Sequence, residues 1–207
     1  MDSKRSTRRA VALAAAVLLL AAACGGNDDD ATSEAVEVAP VQISGDPLGP
    51  IGESPEADPA FGQPVPGLSG TSMDGSPLSW APGERPAAIV FLAHWCPACQ
   101  AEVAELTDWL DEGNNLPDGV DLLSVVTLVD SDRDNFPPSQ WLADEAWPFP
   151  VLVDSSDNEI AVALGQAGTP FWVFVFGDGT LAFRGSGRIP PEGLAQLFDQ
   201  LLAPGDG

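Results

Sequence analysis

The 207-residue chain is poor in basic residues, histidine and cysteine: 8 Lys+Arg stand against 31 Asp+Glu, with one histidine, three cysteines and a formal net charge of −23. Each scarcity excludes something. A surface this acidic repels phosphate backbones, so nucleic acid is excluded as a partner. Three cysteines cannot build a disulfide scaffold. No apolar run reaches the roughly 20 residues of a mature membrane-spanning helix. Apolar residues, at 44%, are plentiful enough for a real core, so the chain as a whole is not disordered. These bounds leave one acidic globular domain with an extension in front.

Residues 1–23 read as an export signal. Lys4, Arg5, Arg8 and Arg9 form a positive leader, and Ala10 to Ala23 is an apolar run too short to span a membrane comfortably. Small residues Ala21, Ala22 and Ala23 lead into Cys24. This segment resembles a bacterial lipobox, departing from it at Ala21, where leucine is usual; an ordinary secretory signal is the alternative. The resemblance implies cleavage before Cys24, a lipidated Cys24 thiol, and attachment to the outer face of the cytoplasmic membrane. Cleavage there leaves Arg85, Arg133, Arg184 and Arg188 as the only basic residues. Membrane attachment then rests on acyl chains, because no polybasic patch survives.

Residues 24–60 read as an acidic, proline-rich linker. Gly25-Gly26-Asn27-Asp28-Asp29-Asp30 is followed by Pro40, Pro47, Pro50, Pro55 and Pro59, a composition that buries too little apolar area to offset ordering entropy. As a coil it reaches about 30–35 Å, with its later part available as an arm on the domain. From residue 61 to 207 the pattern is α/β. Met73-Asp74-Gly75-Ser76-Pro77 marks the turn of an N-terminal hairpin. Buried-strand runs occur at 87–93, 121–129, 149–153 and 171–176. Helical stretches fall at 97–110, 137–146, 158–164 and 190–202, and Gly177-Asp178-Gly179 turns the strand at 171–176 into another at 180–184.

The chemistry lies in Trp95-Cys96-Pro97-Ala98-Cys99. A Cys-x-x-Cys that opens a helix directly after a buried strand puts the first thiol where unpaired amides and the helix dipole favour negative charge. That favours the thiolate, the species that attacks disulfides. The second thiol, one turn on, can displace the substrate and close an intramolecular disulfide. Pro97 suits the first helical turn. A zinc half-site is the first alternative, for which His94 and Cys24 are the further ligands on offer; an inert structural disulfide is the second. Asp130-Ser131-Asp132-Arg133-Asp134 begins like a calcium loop, but Asn135 and Trp141 stand where that loop needs Gly and Glu. No metal and no cofactor is expected.

The segment Phe91 to Cys99, together with Gly168-Thr169-Pro170 ahead of the apolar run Phe171 to Phe176, resembles the thioredoxin superfamily, and within it the TlpA/ResA-like exported thiol–disulfide oxidoreductases. The resemblance covers roughly residues 61–203. It implies a thioredoxin fold, with a central mixed sheet flanked by helices on both faces and the N-terminal hairpin added. Cys96 is then the nucleophile and Cys99 the resolving thiol of a redox-active disulfide. The Thr169–Pro170 bond is cis, the Thr169 backbone pairs with the substrate, and Trp95 and Pro97 flank it. Glu102 takes the place of a glutamate that tunes the thiols. Cytosolic thioredoxins carry a buried Asp where this chain has Val90, so Glu102 is the nearest proton acceptor. His94, if charged, is a candidate for lowering the Cys96 pKa. A peroxidase pattern, Thr-x-x-Cys, is broken by Ala93.

The implied partners are thiols and disulfides of exported proteins and a transmembrane thiol carrier. Pro97-Ala98 does not decide between a reductase, as in cytochrome c maturation, and an oxidase. The alternative class is a non-enzymatic binding module of the cell envelope.

Overall fold

The computed structural model describes residues 35–52 and 57–203. The signal segment and Cys24 lie outside these residues. In chain order the elements are β1 (Gln42–Ser44), β2 (Gly67–Thr71), β3 (Pro77–Trp80), β4 (Ala87–Leu92), α1 (Pro97–Asp111), β5 (Asp121–Val126), α2 (Pro138–Asp144), β6 (Val151–Val153), α3 (Glu159–Ala163), β7 (Phe171–Val175), β8 (Leu181–Ser186) and α4 (Pro191–Leu202).

Five strands form the central sheet in the order β6-β5-β4-β7-β8. β4, β5 and β6 run parallel, while β7 and β8 add antiparallel, so the sheet is mixed. β4 and β7 are buried throughout, which is why they read as unbroken apolar runs rather than alternating ones. Alternation along β4 still assigns the faces. Ala88, Val90 and Leu92 pack with Val103 and Leu106 of α1 and Leu194 and Phe198 of α4. Ala87, Ile89 and Phe91 pack with Ile160 and Ala161 of α3, and with Val65 and Leu68 of the N-terminal region. One face is therefore covered by helices, and the other by the short α3 together with a second sheet, β1-β2-β3.

That second sheet moves the ordered boundary forward of residue 61. Residues 42–44, which composition places in the linker, pair with β2 as β1. Proline and glycine around them are compatible with an edge strand, and Val41, Ile43, Leu48 and Ile51 supply the apolar contacts. A buried ion pair completes the attachment. Arg184 on β8 is 1% exposed. Its Nε donates to Asp58 Oδ2 at 2.7 Å and its Nη2 to Asp58 Oδ1 at 2.9 Å. The remaining donors reach the carbonyls of Gly49, Leu164 and Pro50. All five guanidinium N–H groups are thus matched. Gly165 sits beside this cluster with φ of +70°, and a Cβ there would collide with Gly49 O and the Arg184 Nη1, so no other residue fits.

The strand read at 121–129 ends at Val126, because Leu128 takes a left-handed φ of 54°. The chain is released there into a loop, 128–136, that crosses above the start of α1. Asn158 holds its beginning, its Oδ1 accepting the Leu128 N–H at 2.8 Å. Asp154, buried one strand away, accepts N–H groups from Ser155, Ile160 and Ala161 and the Thr127 hydroxyl. Burial pushes its carboxyl up, against the pull of those donors; it anchors the start of α3.

Candidate active site

Strand β4 delivers the chain through Ala93, His94 and Trp95 to Cys96, which has extended backbone (φ −79°, ψ 116°) and is the N-cap of α1. No side chain caps this end, so the first amides of the helix are left to the sulfur. Pro97 is the first helical residue and is exposed. Cys99 is fully buried one turn on, and both thiols are free.

The two sulfurs titrate in opposite directions. Burial pushes the Cys96 thiol up, but contacts with Thr169, with the Cys99 amide and thiol, and with the Ala98 amide outweigh it, and the net shift is downward. Thr169 acts in two senses. Its carbonyl accepts the Sγ–H at 3.3 Å, which favours the thiol. A donor from its side chain favours the thiolate, and with the helix amides it decides the balance. Cys99 is pushed up to about 12, chiefly by burial, against an Ala93 N–H that reaches its sulfur at 3.5 Å. One thiol is therefore poised to attack and its neighbour to hold its proton.

The Thr169–Pro170 bond is cis, and Pro170 is buried while Thr169 is half-exposed. The loop ahead of β7 thus lies directly against Cys96, bringing together two motifs 73 residues apart. Trp95 is half-buried on the other side. Its Nε1–H donates to Leu128 O at 2.8 Å, and the Arg133 guanidinium lies 4.5 Å from its ring centroid.

Glu102 lies on the same buried face of α1 as Cys99 and is 3% exposed. Burial raises its carboxyl to about 7. The Ile189 N–H, at 3.1 and 3.2 Å from its two oxygens, and Arg188, at 3.8 Å, oppose that rise. The Trp172 indole pulls weakly in the same sense, although its buried N–H forms no hydrogen bond of normal geometry. Val90, where a buried carboxylate might have stood, is enclosed by apolar neighbours. Glu102 is the carboxyl on the thiol-bearing face of the helix.

His94 departs from the charged ring expected beside the thiol. It is fully buried. Its Nδ1 pairs with Asp134 O at 2.7 Å, and its Nε2 accepts the Asp130 N–H at 3.2 Å. In this arrangement Nε2 is the acceptor and Nδ1 the donor. The acidic run once resembling a calcium loop is the loop that this ring holds. Nothing local marks Arg188, Trp172, Leu128 or Arg133 as neighbours of the thiols, because each meets α1 or the segment before it only after the chain has returned. A second cis proline bond, Phe136–Pro137, likewise lacks a local signal.

One surface cleft, away from the thiols, is lined by Leu110, Leu116 and Phe149. Cys96, 8% exposed, meets the cis-proline loop at the Thr169 carbonyl, and its neighbour Trp95 meets the 128–136 loop at Leu128.

No curated protein matches the chain. Several solved structures share its fold at low identity. A thioredoxin-family thiol:disulfide interchange protein from Chlorobium tepidum is 18% identical, with 68% of this chain and 96% of that one covered and a TM-score of 0.54. DsbF of MTB is 22% identical, with 64% and 93% covered and a TM-score of 0.53. The exposed lipoprotein thioredoxin of Streptococcus pneumoniae is 20% identical, with 65% and 98% covered and a TM-score of 0.52. The fold is thioredoxin-like. The AhpC/TSA family model matches residues 61–185, a span holding both thiols, the cis proline and Arg184, and the chain belongs to the AhpC/TSA family.

Proposed function

We propose that the protein is an extracytoplasmic thiol–disulfide oxidoreductase that exchanges disulfides with exported proteins through Cys96 and Cys99. The observation that carries this reading is the split between the two sulfurs, one held low at the helix start and one held near 12 inside. In the reducing direction the Cys96 thiolate attacks a substrate disulfide. The substrate S–S bond breaks, one substrate thiolate leaves, and a mixed disulfide forms. Cys99 then gives up its proton and attacks the Cys96 sulfur, which releases the second substrate thiol and leaves an enzyme disulfide. The substrate gains two electrons and the cysteine pair loses them. A transmembrane thiol carrier restores the pair, or draws electrons from it when the cycle runs as an oxidase. A protein chain would meet Trp95, Pro97, Thr169 and Pro170 as the contact surface around Cys96.

Equilibrating the protein with glutathione buffers reads both the activity and its direction. A potential near that of thioredoxin makes it a reductase, and one near the strong periplasmic oxidants makes it an oxidase. A wild-type protein that exchanges with no disulfide at all leaves the non-enzymatic binding module instead.

Glu102 is proposed as the acceptor of the Cys99 proton. Its carboxyl, raised to about 7, gains its charge progressively as pH rises through 7, so the resolving step should quicken over the same range. Glu102→Gln should slow that step on the order of 10²-fold, the lower end for general acid–base groups, and should flatten its pH profile. An unchanged profile in stopped-flow measurements overturns the role. Stability carries an independent sign. A carboxyl raised in the folded state opposes folding once it ionises, so the wild type should lose about 3 kcal/mol relative to Glu102→Gln between pH 4.5 and 7.

Anchoring through Cys24 is part of the same proposal. Mass spectrometry of the mature N-terminus should show cleavage before Cys24 and an acylated thiol. An intact signal or an unmodified Cys24 overturns the anchor without touching the redox reading.

A further inference from the structure

The loop 128–136 is tied to the active-site segment at five points. Trp95 donates to Leu128 O, and Arg133 covers the Trp95 ring. Asn135 Nδ2 reaches His94 O at 3.4 Å. The remaining two ties come from the imidazole of His94, which grips Asp130 and Asp134 at once. Phe136, beyond them, packs its edge against the His94 ring at 6.0 Å between centroids and still leaves 44% of its surface exposed. Its other ties are the Asn158 Oδ1 that accepts the Leu128 N–H at its start and contacts within the loop itself, where Asp130 accepts the Asp132 and Arg133 N–H groups and pairs with the Arg133 side chain. Leu128 and Asn135 hold left-handed backbones, and Asp130, Asp132, Arg133 and Asp134 all face solvent. Four charged side chains in a stretch of five, three of them acidic, favour an expanded chain over a folded one.

From this we infer that His94 is a positioning residue for disulfide exchange, acting through the 128–136 loop rather than on the sulfur. Its two ring nitrogens, donating to Asp134 O and accepting from the Asp130 N–H, fix both arms of the loop to the strand that delivers Cys96. The loop then stands beside Cys96 with the cis-Pro170 loop on its other side, and a protein substrate must reach the thiol past both. A small disulfide needs no contact with either loop. Gln100 on α1 donates to the His94 carbonyl at 2.9 Å, which keeps the backbone of residue 94 in place when the ring is changed. The inference rests on the exchange activity proposed above.

The test compares His94→Asn, which retains a donor near the Nδ1 position, His94→Gln, which retains a polar atom near Nε2, and His94→Leu, which retains neither. Two substrates are used: the small disulfide 5,5′-dithiobis(2-nitrobenzoate), and insulin as a disulfide-bonded protein. Reaction with the small disulfide should stay within about threefold of wild type in all three variants. Turnover of insulin should fall roughly tenfold in His94→Leu, mainly through KM, and Asn or Gln should restore part of it. Hydrogen exchange of the 128–136 amides should quicken in the same order, with the Asp130 amide most affected. This last reading needs no catalysis, so it decides the loop's dependence on His94 even in a protein without exchange activity. Equal losses on both substrates would show that His94 acts on the thiol itself and would overturn the inference. Unaltered loop exchange overturns it as well. Failure of the wild type on both substrates counts against the exchange reading, and is told apart from these by the variants' exchange pattern. If His94→Leu does not fold, the Asn and Gln variants carry the same comparison.

Discussion

Cys96→Ser abolishes disulfide exchange, with a fall on the order of 10⁴-fold or more, the scale on which loss of a covalent nucleophile acts elsewhere. A serine hydroxyl at the same N-cap is still surrounded by helix amides, but it is not ionised near neutrality, so no nucleophile remains. Cys99→Ser has a different signature. Attack by Cys96 survives, resolution does not, and a mixed disulfide with the substrate accumulates that intact-mass measurement detects. The opposed shifts of the two thiols add a third reading. At neutral pH iodoacetamide should label Cys96 and spare Cys99, which is buried and held up to about 12. Equal labelling of the two sulfurs, or exchange persisting in Cys96→Ser, removes the basis of the proposed function. The lowered Cys96 also sets the pH dependence. Its attack should persist below the ordinary thiol range and decline only as acid protonates the sulfur.

Asp58→Ala unfolds the protein more readily, by about 3–5 kcal/mol in urea titration, the usual result of removing one partner from a buried pair. That is a large share of the 5–15 kcal/mol typical of a domain. The reason is the stranded Arg184. It stays 1% exposed with two donors, Nε and Nη2, deprived of their acceptors. Replacing both partners by apolar residues, Asp58→Leu with Arg184→Met, should recover much of the loss. The Arg184 hydrogen bond holds the Asp58 carboxyl below its ordinary value. A depressed carboxyl adds stability above its unfolded pKa and loses it as pH falls through the folded one. Wild type should therefore weaken more steeply than Asp58→Ala as pH drops below about 4. A loss under 1 kcal/mol for Asp58→Ala means that the arm is attached by its apolar contacts alone. Arg184 sits on β8, next to β7, which the cis proline precedes.

Much of the fold was legible locally. Unbroken apolar runs marked β4 and β7 because strands covered on both faces need no polar alternation. The Cys-x-x-Cys was legible because its chemistry depends on two residues three apart at a helix start, a relation written along the chain. Pro170 was marked by the resemblance of Gly168-Thr169-Pro170 to the thioredoxin superfamily. Glu102 was marked by the same resemblance, but its burial was not, since the lid over it comes from Ile189 and Arg188 eighty-seven and eighty-six residues later. His94 was singled out for its place beside the thiol. A histidine two positions before a thiol suggests a charge effect, whereas its partners, Asp130 and Asp134, approach from a loop 36 and 40 residues on. The arm was hidden for another reason. Pro and Gly dominate its composition, and only the exposed edge of β2 turns residues 42–44 into a strand.

The order of helices and strands, the Cys-x-x-Cys spacing and the net acidity are properties of neighbouring residues and of sums over the chain, so they follow from the sequence alone. Which thiol ionises, which carboxyl is buried, what His94 holds and how the arm is fastened depend on groups separated by up to 126 residues. Desolvation and hydrogen-bond partnership are set by what surrounds a group in space, and those surroundings exist only once the sheet has closed and its loops have returned over the start of α1.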